Sequence, residues 1–244
     1  MTTRLPSPKL ALPGLLLLAA AATCQAGSVQ LTPVRLNLSD KAKVETITVR
    51  NTGTTDSVMQ VTLNKWALEG KGYTYKRSQD LVITPATFRL APGAQQIVRV
   101  GLRGKAPATK EASYRLFVEE VPAPATPGVT GAQLVVRHDL PVFVAPAAAA
   151  KASLDVSVDC TPAGTSLRVT NIGNVHAQIQ NVALQGTPGD QPIARWDTSD
   201  YLLPAAQKSW TLAQSAPAAA GKPFVVTALT DQGSFTADVK TICP

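Results

Sequence analysis

The sequence predicts an all-β protein built as two β-sandwich domains in tandem. Three observations predict it. Short alternating apolar runs recur along the chain, closed by clusters of Gly, Pro, Asn and Asp. No stretch of useful length keeps the apolar period of about 3.6 residues that marks a helix. The run Ala145–Lys151 is small, contains Pro146 and lacks apolar periodicity, and it divides the chain into two parts of about 100 residues each, a common domain size.

Residues 1–26 read as a removable address. Arg4 and Lys9 form a basic start, Leu10–Ala22 is a short apolar run, and Cys24-Gln25-Ala26 offers small residues for cleavage before Gly27. The apolar run is too short for a spanning helix. A lipid anchor on Cys24 fits less well, because Thr23 is a poor residue before a lipidated Cys. Export is therefore expected, with residues 27–146 and 147–244 as the two mature domains. Cleavage would remove two of the 23 basic residues and no acid, leaving 21 against 16, a net charge of +5. The basic residues are scattered and aromatics are few, so no nucleic-acid face is expected. Two cysteines remain, Cys160 and Cys243. In an oxidising compartment they read as a structural disulfide closing a loop of about 80 residues, worth about 2–4 kcal/mol. Two buried thiols are the alternative.

Seven strands are expected in the first part. Val29–Leu38 carries Pro33 as an edge or kink. Val44–Arg50 turns Ile47 and Val49 inward and stops at Asn51-Thr52-Gly53. Ser57–Leu68 puts Met59, Val61 and Leu63 on one face, with Trp66 filling the core nearby. After Gly70-Lys71-Gly72, Tyr73–Arg77 is a short edge piece. Leu81–Leu90 and Ala94–Leu102 flank Ala91-Pro92-Gly93, read as two antiparallel strands around a tight turn. Pro92 presets its own φ and Gly93 supplies a positive one. Ser113–Val121 sets Tyr114, Leu116 and Val118 against Arg115, Phe117 and Glu119. Pro122–Gly131 is a loop, and Gln133–Val144 closes the domain. Short strands with frequent turns over this length fit an immunoglobulin-like sandwich.

The second part repeats the style in Ala152–Asp159, Ser166–Asn171, Ala177–Leu184, Arg195–Asp197, Lys208–Ala213, Pro223–Thr230 and Ser234–Ile242. Asn171-Ile172-Gly173-Asn174 and Asp231-Gln232-Gly233 are turns. Beyond this shared style no internal repeat is expected.

Catalytic chemistry finds little footing. His138 and His176 are the two histidines, and neither belongs to a helical His pair with an intervening Glu. A surface or cross-strand role suits both. There is no Gly-x-Ser-x-Gly elbow, P-loop or Gly-x-Gly-x-x-Gly. Asp155 and Asp159 on one strand are about 13 Å apart, too far for a catalytic pair. No catalytic residue, cofactor, metal or small-molecule substrate is expected, so function belongs to a surface.

The segment Ile83–Arg99, ITPATFRLAPGAQQIVR, carries the most specific pattern. Pro85, Arg89-Leu90, Pro92-Gly93 and Arg99 stand at fixed offsets. This arrangement resembles the periplasmic pilus-assembly chaperones of chaperone–usher systems. The resemblance covers nearly all of the mature chain, most strongly residues 28–146. Leu167–Gln178 and Tyr201–Leu212 resemble second-domain patterns of the family's divergent, archaic branch.

That resemblance implies two immunoglobulin-like domains at an angle, forming a cleft, in the periplasm. It implies a fimbrial or pilus subunit and an outer-membrane usher as partners. The chaperone lends an alternating apolar strand to a subunit that lacks one. Here the lending strand is Ala132–Val144, with Leu134 and Val136 inserted and Ala132 a shallow third contact. When free, that strand could pair with a second copy. The family also grips the subunit's terminal carboxylate with two basic residues. Arg35 occupies one place, and an Arg fork can donate two parallel hydrogen bonds to a carboxylate. The second place, a Lys in other members, is Pro141 here. Arg89 and Arg115 are the favoured substitutes, with Arg137 a third. The alternative for each is a solvated Arg or an internal ion pair with Glu119 or Glu120.

A secreted immunoglobulin-like adhesin or carbohydrate-binding module is the alternative function, but the sparse aromatics do not suit it. A fibre subunit would show one domain with an alternating N-terminal extension rather than two full strand sets. An esterase lacks its nucleophile motif.

Overall fold

The computed structural model describes residues 29–69, 72–122, 135–161, 164–186, 189–212 and 224–242. Two sandwiches, one from residues 29–144 and one from 154–242, share no sheet.

The first begins with β1 (Val29–Thr32), paired antiparallel with β3 (Val44–Asn51). After Pro33 the chain crosses to the facing sheet as β2 (Leu36–Leu38), parallel to β10 (Arg137–Val144). The single kinked strand expected over Val29–Leu38 is thus two strands in two sheets. Pro33 follows a cis bond and has no N–H to give either ladder. The stretch Leu81–Leu90 divides in the same way at Pro85, also cis. There β6 (Leu81–Thr84) pairs with β8 (Gln95–Leu102), and β7 (Thr87–Leu90) pairs with β4 (Ser57–Glu69).

The antiparallel pair expected around Ala91–Ala94 is not formed. The turn itself is present: Ala94 donates its N–H to Ala91 O at 3.0 Å, and Gly93 has φ +75°. But β7 lies on β4, whereas β8 lies between β3 and β6. The turn carries the chain across the sandwich, so Leu90 and Val98 reach one core from opposite sides. The sheets run β1-β3-β8-β6 and β2-β10-β9-β4-β5, with β9 Ala112–Glu120 and β5 Gly72–Arg77. Ile47, Val49, Met59, Leu116 and Val142 are buried between them. The expected inward set of β9, Tyr114, Leu116 and Val118, is buried as well.

The second sandwich contains β11 (Leu154–Thr161), β12 (Gly164–Asn171), β13 (Ala177–Gln185), β14 (Ala194–Leu202), β15 (Gln207–Thr211), β16 (Val225–Thr230), β17 (Gly233–Asp238) and β18 (Lys240–Ile242). The sheets run β15-β12-β11-β18 and β14-β13-β16-β17. The expected strand Ser234–Ile242 splits at Val239, whose N–H turns to Phe224 O at 2.8 Å. The short piece Arg195–Asp197 grows to nine residues because its polar letters still pair with β13. Trp210 packs in this core and Trp196 lies against it, their ring centroids 6.0 Å apart.

A repeat does exist, contrary to the sequence reading. Asn51 Nδ2 donates to Thr55 O at 2.8 Å and Leu90 O at 3.0 Å, and its Oδ1 accepts the Gly53 N–H at 2.9 Å. Asn171 Nδ2 donates to Val175 O and Leu202 O, both at 2.8 Å, and its Oδ1 accepts the Gly173 N–H at 2.9 Å. The main chain of Asn51 bonds to Ala94 and Gly93, and that of Asn171 to Ala206 and Ala205. Asn-x-Gly and Leu-x-Pro-x-Ala therefore build the same corner twice. Gly93 holds the positive φ in the first and Ala205, at φ +70°, in the second. In each sandwich the last strand also lies parallel to an early one, β10 to β2 and β18 to β11.

Candidate functional site at the seam between the sandwiches

The seam is assembled from segments of both sandwiches and the connector between them. The loop leaving the Asn171 corner supplies Asn174, which ties both sandwiches to the connector. Its Nδ2 donates to Thr109 O and Ala149 O at 3.0 Å, and its Oδ1 accepts the Lys151 N–H at 2.7 Å. Its own carbonyl accepts the N–H of Glu111 at 2.9 Å. Gly173 is required here because a Cβ would meet Lys151 O at 2.3 Å.

Two residues on, His176 is buried, not a surface residue as its place beside a turn suggests. Its Nδ1 lies 2.8 Å from Glu111 Oε2, and its N–H donates to Glu111 Oε1 at 3.2 Å. Its Nε2 lies 3.5 Å from Asp231 Oδ2, within ion-pair range but beyond a normal hydrogen bond. Its ring stacks on Phe143, centroids 3.5 Å apart. Burial opposes charge on His176, but the hydrogen-bonded Glu111 carboxylate and the charge of Asp231 nearby outweigh it, so the imidazole holds its proton above its ordinary range.

Asp231 occupies the tight turn from β16 to β17, which the sequence reads only as a hairpin turn. Oδ1 accepts the Gln178 N–H at 2.9 Å, and Oδ2 lies 3.0 Å from Arg35 Nη1. Burial pushes its carboxyl up, yet His176, the Gln178 amide and Arg35 pull it down to about 2.

Arg35 stands between β1 and β2, beside the exposed Val34. Its side chain remains 34% exposed while paired to Asp231. Arg115, on β9, lies directly opposite Pro141 in the β9–β10 register. A side chain there shares the face that a residue at 141 would use. Its guanidinium carbon is 3.8 Å from the Trp66 ring centroid and 5.7 Å from that of Tyr201. Nη1 is 3.6 Å from Asp139 Oδ1, and Nε is buried without a hydrogen-bond partner.

Trp66, Tyr73 and Phe143 of the first sandwich meet Tyr201 of the second. Trp66 stands edge-on to Tyr73 at 5.3 Å and to Tyr201 at 5.8 Å, and Tyr73 Oη donates to Tyr201 O at 2.7 Å. Trp66 is thus buried as expected, but at the seam rather than in the first core.

The structure therefore brings Arg35 and Arg115 to one seam. It does not bring Arg89 there. Arg89 pairs at 3.6 Å with Asp56 on the exposed side of β7. Arg137 lies over Phe117, 4.4 Å from its centroid. The ion pairs of Arg89 and Arg115 are with Asp56 and Asp139, not with Glu119 or Glu120. Val136 precedes β10, and its carbonyl accepts the Glu120 N–H at 3.4 Å. Ala132 and Leu134 lie outside the described residues. Val136 shares parity with His138, Leu140 and Val142, which run from half-buried to fully buried along β10. The face that would be lent is thus continuous with the inward face of the sandwich. Ser157, Val158 and Asp159 on β11 lie opposite Lys240, Thr241 and Ile242. Cys160 is the next residue of β11, and Cys243 lies outside the described residues.

Residues 28–150 match the family described as pili and flagellar-assembly chaperone, PapD N-terminal domain. This chain belongs to that family. It is also 28% identical over 133 residues to the chaperone protein LpfB of Salmonella typhimurium, covering 53% of this chain. The match spans about half, 55%, of that relative's length. Among solved structures, a chain of the CsuC–CsuE chaperone–tip adhesion subunit pre-assembly complex, from the archaic Csu pili of Acinetobacter baumannii, is similar with a TM-score of 0.65 and 19% identity. That alignment covers 89% of this chain and all of the other. The Salmonella enterica SafA pilin–SafB chaperone complex gives 0.59 at 21% identity, over 88% and 97% of the two chains. At these identities the likeness shows the shared fold of two immunoglobulin-like domains.

Proposed function

We propose that this protein is a periplasmic chaperone that binds, helps fold and caps pilus subunits by lending them a strand, and passes them to an outer-membrane usher. It does so as a binding protein and not as an enzyme, with residues 27–146 carrying the strand and 147–244 completing the seam. The observation that carries the reading is the pairing of cations at the seam. Arg35 is half-free beside Asp231, and Arg115 stands across the ladder from Pro141, where the family's Lys is missing. Two guanidinium groups, one with an unpaired buried Nε, suit a subunit's terminal carboxylate. Arg89, held by Asp56 on another face, is set aside as an anchor.

The lent residues are Leu134 and Val136, with Ala132 beside them. Val136 has the buried parity of β10, and Leu134 and Ala132 share that parity in the sequence, which suits an alternating apolar strand lent by main-chain pairing. Changing Leu134 and Val136 together to Asp should abolish subunit capture while the thermal unfolding midpoint of the purified protein stays within a few degrees. Capture at the wild-type level would remove this strand from the mechanism. We further assign Cys160 and Cys243 to a disulfide, because the β11–β18 register runs to the residues just before them. Intact mass before and after thiol alkylation checks it: a bridged pair takes up no label without reductant.

A further inference from the structure

Arg35 is not an isolated cation. Its partner Asp231 also faces His176, and His176 in turn is held by Glu111 of the other sandwich. Glu111, His176 and Asp231 have side-chain exposures of 4%, 8% and 8%, so their charges meet with little water between them. We propose that His176 is a positioning residue: acting through Asp231, it sets how freely Arg35 can grip a carboxylate, so capture at the seam is strongest with the imidazole charged and weakens when it is neutral. This rests on the reading of Arg35 as a carboxylate anchor.

The charges explain the direction. With His176 protonated, two cations face two carboxylates and the cluster is neutral. Asp231 then divides its attraction between Arg35 and His176. Once His176 loses its proton, Asp231 has Arg35 as its remaining cationic partner, and the cluster carries one net negative charge. An arriving carboxylate is then repelled and must compete harder for Arg35. At this degree of burial the repulsion is weakly screened.

The groups facing the imidazole from each packed element are few. Glu111 comes from the segment before β9, Asp231 from the β16–β17 turn, and Arg35 lies behind Asp231 from the β1–β2 link. Phe143 of β10 covers one ring face, and Tyr201 of β14 stands 5.7 Å away at an angle. Arg115 lies over Trp66 and Tyr201, 3.8 and 5.7 Å from their ring centroids. Linkage makes the effect reciprocal: a carboxylate bound at Arg35 must raise the midpoint at which His176 titrates.

The test uses the mature chain and N-acetyl-glycylglycine, a small peptide with one free carboxylate, with its C-terminal amide as control. Binding is read from the Arg35 side-chain N–H signal of protein labelled with nitrogen-15 in arginine, at about pH 6 and about pH 9. The expected result is affinity at least about fivefold tighter at the lower pH, no pH dependence in His176→Gln, and no binding of the amide. In the wild type alone, saturating peptide should also move the His176 titration midpoint upward, which decides the matter if His176→Gln does not fold. Binding with the same affinity at both pH values, or a midpoint that does not move, overturns the role of His176 and leaves the anchor standing. No carboxylate-dependent signal at either pH overturns the anchor, and this inference with it.

Discussion

In the first sandwich the Asn51 corner ends in a loop whose residues 54–56 are exposed, whereas in the second the Asn171 corner ends in a loop that grips the connector and the other domain. The same three side-chain hydrogen bonds build both corners. What differs is the continuation. Residues 172–176 carry Asn174 and His176 to the seam, so a corner that is a fold device in one domain becomes, in the other, the support of the proposed site. The difference teaches that a repeated local structure takes its role from what its loop reaches, not from the bonds that make it.

The largest effect should come from Gly173→Ala. Its new Cβ would fall 2.3 Å from Lys151 O and 2.6 Å from Ser153 N, both main-chain atoms that cannot yield without moving the connector. A loss of about 3 kcal/mol or more is expected in denaturant unfolding, together with faster amide exchange in residues 172–174. Asn171→Ala and Asn51→Ala should each cost about 1–3 kcal/mol, since each leaves one buried carbonyl, one part-buried carbonyl and a part-buried N–H without their side-chain partner. They separate in reach. Amide exchange at Glu111 and Lys151 should rise in Asn171→Ala and stay unchanged in Asn51→Ala. Equal behaviour at Glu111 in both variants would break the comparison.

The two corners should also part with pH. The Asn51 side chain bonds to Thr55 O, Leu90 O and the Gly53 N–H, groups that do not titrate, but the Asn171 loop leads to His176 and Asp231. His176 holds its proton above the ordinary value, so its stabilising contribution is present at and below about pH 6.5 and is lost as pH rises through its midpoint in the folded protein. Asp231 is lowered to about 2, so its contribution is present above about pH 4 and is lost as pH falls toward 2. Protection of the seam amides, relative to the intrinsic exchange rate at each pH, should therefore fall at both ends of that range, while protection of the Gly53 N–H stays flat.

Smallest are the changes at the left-handed position. Gly93→Ala should cost about 1–2 kcal/mol, because a Cβ is disfavoured at φ +75°. Ala205→Gly relieves the same penalty at φ +70° but loosens the unfolded chain, so a gain below about 1 kcal/mol is expected. Thermal melts of the two variants should move in opposite directions.

Much of this was legible in the letters, and the rest failed for identifiable reasons. The turn Ala91–Ala94 could be read because Pro92 and Gly93 fix its dihedrals locally. Its two strands were misread as partners because sequence alternation reports which face is buried, not which sheet a strand joins. Pro33 and Pro85 marked the crossings but looked like kinks. The repeated corner escaped notice because its halves are 42 residues apart in one sandwich, 51 to 93, and 34 in the other, 171 to 205, so no fixed period appears. The family pattern points to Arg35, Arg89 and Arg115 alike, because pattern alone cannot place a side chain on a face. His176, Glu111 and Asp231 were unreadable as a group. His176 stands 65 residues after Glu111 and 55 before Asp231, 176 to 231; the pairing of β13 with β16 brings Asp231 to it, and only the packing of the first sandwich on the second adds Glu111.

The most direct measurement is an affinity purification of the tagged mature protein from its own cell envelope, with intact-mass analysis of what elutes, run beside Arg35→Ala and Arg115→Ala. Both variants should keep the wild-type melting behaviour to within a few degrees. The account predicts a one-to-one complex with a small secreted subunit from the wild type, and a loss of about tenfold or more from each variant. Undiminished complex from the folded variants would contradict the seam as the carboxylate anchor, and a wild-type protein that elutes alone while fibre genes are expressed would contradict the chaperone reading itself.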